Sequence, residues 1–176
     1  MLFILSFGWL DGCQRFHPAT TSVESIKLPT NVNDGSDAAI ATLYKKLTGE
    51  GLQIKTMGQM YLINIPARLI FAEQSPQIKW NSYQVLNDIV CYLQLFRKIT
   101  VHVNAFGSCH RSRSRTYALS LARAKAVGNY LWEQNIETRM VFTEGVGNDK
   151  PIVAEAECTD SSANARIEIV FRQLEA

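Results

Sequence analysis

A mixed β-sheet with helices packed on one face, an α/β (α+β) fold, is what this sequence predicts, on three observations. Segments with a helical apolar period alternate with segments that alternate apolar and polar residues. The strand-like segments at the C-terminal end also allow antiparallel pairs, so the sheet is expected to be mixed. The chain has 176 residues, 47% of them apolar and 19% charged, which suits one domain preceded by a tail.

The tail comes first. Met1 to Leu10 carry no charge, a length that suits a signal-peptide core and falls short of a membrane span. The run ends in Leu10-Asp11-Gly12-Cys13, similar to a bacterial lipobox. That resemblance implies cleavage after residue 12 and acylation of Cys13, whose several acyl chains would give stable anchoring. The other reading is an apolar N-terminus with an incidental cysteine. Residues 13–36 then form a linker rich in Ser, Thr, Pro and Asn, and residues 37–176 form the domain.

Residues 37–48 read as a helix. Ser36 or Asp37 can cap it, Ile40, Leu43, Tyr44 and Leu47 share a face, and Gly49 and Gly51 end it. Residues 52–56 and 60–65 are strands around a turn at Met57-Gly58-Gln59, and Pro66 stops the second. A second helix spans 82–96, with Ser82 as N-cap and Val85, Leu86, Ile89, Val90, Leu93 and Phe96 at helical spacing. From Ile99 to Ala105 the pattern alternates, so Ile99, Val101, Val103 and Ala105 point inward. A third helix covers about 114–134, with a core stripe of Leu119, Ala124, Val127, Tyr130 and Leu131. Strands at 139–143 and 165–171 complete the set. In the last, Ile167, Ile169 and Phe171 face in, while Arg166 and Glu168 face out.

Composition narrows the function. A net charge of +2 gives no reason to expect nucleic-acid binding. Neither the cysteines (13, 91, 109, 158) nor the histidines have metal-ligand spacing, so no metal or cofactor is expected. His17, His102 and His110 have no nucleophile or carboxylate at a recognisable spacing, and an enzyme is not expected. Cys109 and Cys158 fall in loops expected at one end of the sheet and could form a disulfide in an oxidising compartment. Cys91 reads as inert core.

Three motifs carry a resemblance. The third helix reads Thr116-x-x-Leu119-Ser120-x-x-Arg123-Ala124-x-x-Val127-x-x-x-Leu131. Farther on come Gly145-x-Gly147-x-x-x-Pro151 and Asn164-Ala-Arg166-Ile-Glu168-Ile. In order and spacing these resemble the OmpA-like, peptidoglycan-associated domain. The resemblance implies a periplasmic domain that grips the diaminopimelate of a peptidoglycan stem peptide. A turn Asp takes the ammonium and the helix Arg takes the carboxylate, charge-assisted bonds of both signs.

The site departs from that pattern. Ser108 stands at the place of the Asp and Thr116 at that of the helix Asn, so only Arg123 survives. Losing one member of a buried charge pair costs ~2–5 kcal/mol. Peptidoglycan binding is therefore expected to be weak or absent. Arg123 also allows a plainer role, pairing with a carboxylate of its own chain. Arg111, Arg113 and Arg115 read either as a solvated loop or as a surface for an acidic partner or anionic glycan.

A short lipoprotein with a degenerate domain of this kind resembles subunits of type IVB secretion systems. That implies a structural place among other secretion-complex subunits at the outer membrane. The alternative is a lipoprotein tethering the outer membrane to the cell wall.

Overall fold

The computed structural model describes residues 33–108, 112–136, 138–154 and 159–174, with only the backbone of 33–36. The leader, Cys13, most of the linker, Cys109, His110, Arg111 and Cys158 lie outside the described residues. The order of elements is α1 (Asn33–Gly49), β1 (Gln53–Met57), β2 (Met60–Pro66), α2 (Ala67–Ile70), a 3-10 turn (Trp80–Ser82), α3 (Tyr83–Gln94), β3 (Thr100–Phe106), α4 (Arg113–Glu133), β4 (Met140–Gly147) and β5 (Arg166–Arg172).

One five-stranded sheet has the spatial order β1-β2-β5-β3-β4. β1 and β2 form a hairpin, and β5 enters antiparallel between β2 and β3. β3 and β4 are parallel, as a crossover through α4 requires. The sheet is therefore mixed. Gly58, with φ at 59°, opens the two-residue hairpin loop between Met57 and Met60, a left-handed position that favours glycine.

The helices lie on one face. The core there joins Ile63, Ile65, Val101, Val103, Ala105, Ile167, Ile169 and Phe171 of the sheet to Leu86, Ile89 and Leu93 of α3 and Ala124, Val127 and Leu131 of α4. On the other face His102 stacks on Phe142 with centroids 5.0 Å apart. Among the described residues no helix is long and apolar enough to cross a membrane.

Several expectations need correction. α1 starts at Asn33, ahead of the expected caps Ser36 and Asp37. Ser82 precedes α3 but makes no side-chain cap; its hydroxyl donates instead to the Leu69 carbonyl at 2.6 Å. Ile99 is 40% exposed because β3 begins one residue later. The buried line of α4 begins with the polar residues Thr116, Ser120 and Arg123 and continues through Ala124, Val127, Gly128 and Leu131; Leu119 and Tyr130 are only partly buried. Arg166 is on the outer side of β5 yet buried, with its guanidinium 3.7 Å from the centre of the Phe106 ring. Cys91 is half-buried and disulfide-bonded rather than an inert core residue.

Candidate functional site

The three motifs fasten one end of the sheet. In the helix motif, Ser120 donates to the Tyr117 carbonyl (2.9 Å) and accepts from the Gly147 N–H (3.0 Å). Gly147, with φ at 66°, tolerates the turn that this bond requires. A Cβ on Gly145 would lie 2.4 Å from the backbone nitrogen of Leu121, so α4 rests directly on the end of β4. Asn164 accepts from the N–H groups of Ile152 and Val153 and donates to the Val153 carbonyl, fixing the chain after Pro151. Arg166 donates to Glu168 at 2.7 Å and to the carbonyls of Lys150 and Asn164. These motif residues therefore work as fasteners.

Within this frame the sequence singled out Ser108, Thr116 and Arg123, and all three are buried. The turn after β3 brings Gly107 against Thr116, whose methyl carbon would lie 2.4 Å from a Cβ added at 107. The Thr116 hydroxyl is taken up by the Ser112 carbonyl at 3.1 Å. Ser108 is 5% exposed, and its hydroxyl has no hydrogen-bond partner among the described residues. No hydrogen bond joins Ser108 to Arg123 among the described residues. A hollow of about 400 Å³ beside the start of α4 is lined by Arg113, Tyr117, Gly147 and Asp149 among others, but not by Ser108 or Arg123.

Arg123 is 1% exposed and closely engaged. Its guanidinium donates to both oxygens of Asp160, at 2.8 and 2.6 Å, in a bidentate pair. Nε donates to the Ser75 carbonyl at 2.9 Å, and Nη2 also approaches the Ala72 carbonyl at 3.4 Å. The Phe71 ring lies beneath it, 5.2 Å from Cζ to the ring centre. Asp160, 3% exposed, also accepts from the Gln74 N–H at 2.7 Å. Its own N–H donates to Glu73 at 3.2 Å. Of the two roles open to Arg123, the structure displays pairing with a carboxylate of the same chain. Sequence reasoning missed Asp160 and the 72–75 segment. Neither has a periodic or motif signal, and a lone Asp in a Ser-rich stretch reads as a turn residue.

Two of the three arginines of the expected patch, Arg113 and Arg115, are described. Arg113 is largely exposed but paired with Asp149 at 2.7 Å; Arg115 is exposed at the start of α4. Arg111, Cys109, Cys158 and Cys13 lie outside the described residues. Among the described residues no cluster of His, Cys, Asp or Glu could hold a metal ion.

Comparison with known proteins agrees with this fold. The model of the OmpA family matches residues 70–165. The chain is 25% identical over 138 residues to the probable lipoprotein YiaD of Escherichia coli, covering 78% of this chain and 63% of that one. It is 24% identical over 118 residues to a peptidoglycan-associated lipoprotein of Brucella melitensis, covering 67% of this chain and 70% of that one. A solved structure of the cell wall anchor of the T6SS from Pseudomonas aeruginosa superposes with a TM-score of 0.66 at 20% identity, covering 77% of this chain and 97% of the other. That last likeness is one of fold.

Proposed function

This chain belongs to the OmpA family, and from that premise we propose that it is an outer-membrane lipoprotein acting as a structural subunit of an envelope-spanning secretion complex. The domain is kept as a docking body, and its grip on peptidoglycan is lost. The observation that carries this reading is Ser108. At the family's ammonium-binding position stands a buried, uncharged hydroxyl. An ammonium brought there would lose its hydration and gain no counter-charge, a penalty of ~2–5 kcal/mol relative to a paired site. That is roughly thirty- to several-thousand-fold in affinity. The small size and degenerate site resemble the DotK (IcmN) lipoprotein of Dot/Icm type IVB secretion systems. Lipidation of Cys13 would supply the anchor. The disulfide at Cys91 suits an oxidising compartment such as the periplasm. Arg113 and Arg115 would supply polar contacts at the edge of a partner surface.

A second reading has support in the comparisons. The relatives include peptidoglycan-associated lipoproteins, and a cell wall anchor shares the fold, so a weak tether to the wall fits them. Mild detergent extraction of a tagged full-length chain, followed by size fractionation, separates the two. Migration with a large particle that Arg113→Glu/Arg115→Glu depletes supports the subunit role. Migration as free lipoprotein, with the remainder held on the wall, supports the tether.

A further inference from the structure

We propose that Asp160 is an internal ligand: its carboxylate fills, from within the chain, the seat at Arg123 that would otherwise receive a carboxylate from outside. The inference rests on the reading above that this pocket no longer serves the cell wall. It assigns to Asp160 the decision on what the pocket accepts.

The receiving groups come from two separate parts of the chain. α4 supplies the Arg123 guanidinium, and the loop after Phe71 supplies the Gln74 N–H, which meets the same Oδ2 that Nη2 holds. Gln74 has φ at 53°, a left-handed conformation uncommon outside glycine. That conformation goes with an N–H aimed at the carboxylate. The carbonyls of Ser75 and Ala72 engage further guanidinium N–H groups, and Phe71 closes one side. Among the described residues, three donors thus converge on one carboxylate, while carbonyls and a ring hold the fork in place. The arrangement recognises a carboxylate as a chemical group, whichever chain bears it.

Asp160 is covalently tethered and already oriented, so its effective concentration at the seat far exceeds that of any solute. A free carboxylate therefore cannot compete with it in the unaltered protein. Removing the side chain should open the seat, leaving a buried arginine short of an anion. Such a deletion is strongly destabilising.

The test is chemical rescue in the full-length chain. Melting temperature is measured for the unaltered protein, Asp160→Gly and Asp160→Asn in acetate, acetamide or chloride at matched ionic strength. Asp160→Gly is expected to melt about 10 °C lower and to recover saturably in acetate, but not in acetamide or chloride. The unaltered protein and Asp160→Asn, whose amide still fills the space, are expected not to respond specifically to acetate. If Asp160→Gly does not fold unaided, refolding from urea in acetate against acetamide reads the same property. Absence of any acetate-specific rescue, or equal rescue in Asp160→Asn, would overturn the proposal. The result is separable from the scaffold reading. Strong binding of the unaltered chain to sacculi would overturn that reading and leave the acetate result to be judged by itself.

Discussion

At the scale of single residues, buried charge is handled by saturation rather than exposure. Lys98 is 5% exposed, and its ammonium donates to the carbonyls of Leu93, Phe96 and Ile136 at 2.6, 3.2 and 2.5 Å. It closes the end of α3 and ties it to the segment after α4. Lys98→Met keeps the length of the stem and removes the donors. It is expected to lower stability by roughly 3 kcal/mol, read from urea unfolding; an unchanged midpoint would mean that water satisfies those carbonyls. Arg123 follows the same rule with a carboxylate partner. Arg123→Ala should destabilise by ~3–5 kcal/mol, because the buried Asp160 charge loses its guanidinium. Arg123→Ala/Asp160→Ala should cost less than the sum of the single changes, and a double-mutant cycle measures that coupling. Sequence shows the arginine and the aspartate but not their meeting, because they are 37 positions apart and in different elements. The hydroxyl of Ser108 illustrates the opposite case: the residue was legible as a departure from a motif, whereas its burial without a partner was not.

At the scale of elements, legibility followed the simplicity of the burial pattern. β3 and β5 alternate because one sheet face is packed under helices, so Val101, Val103, Ile167 and Ile169 could be placed from sequence. α4 resisted the same treatment. Its inward line carries Thr116, Ser120 and Arg123, which an apolar-stripe argument assigns to solvent and the structure assigns to fastening and pairing. The seat of α4 on β4 depends on Gly145. Gly145→Ala would drive a methyl group into the backbone of Leu121 and should cost about 1–3 kcal/mol in urea unfolding.

A second element-scale prediction concerns the junction of α1 and β1. The Glu50 carboxyl is held above its usual pKa, chiefly by burial and then by the Asp88 carboxylate, while Lys46 pulls the other way. Lys46 pairs with Asp88 at 2.7 Å. A carboxyl with a raised folded-state pKa favours folding while protonated. Its contribution is lost as pH rises from the unfolded value, about 4, through the higher folded value. Glu50→Gln is therefore expected to melt higher than the parent at neutral pH. The difference should shrink as pH falls below about 4, and melting curves across that range check it.

At the scale of the whole molecule, the family fold is present, and the proposal is that it no longer reads a zwitterion. The fasteners remain: Ser120 on the Gly147 turn, Asn164 on the chain after Pro151, and Arg166 over Phe106. Of the residues proposed for recognition, Ser108 is buried and uncharged and Arg123 is engaged by Asp160. Fold and motif order were legible because they arise from local periodicity and spacing. The pairing of Arg123 with Asp160 was not, because it arises from a loop meeting a helix across the domain. Cosedimentation of the purified full-length chain with isolated sacculi tests the proposed loss of wall binding most directly. The chain is expected to stay in the supernatant at physiological salt, with Arg123→Ala making no difference. Pelleting of the unaltered chain, abolished by Arg123→Ala, would contradict it.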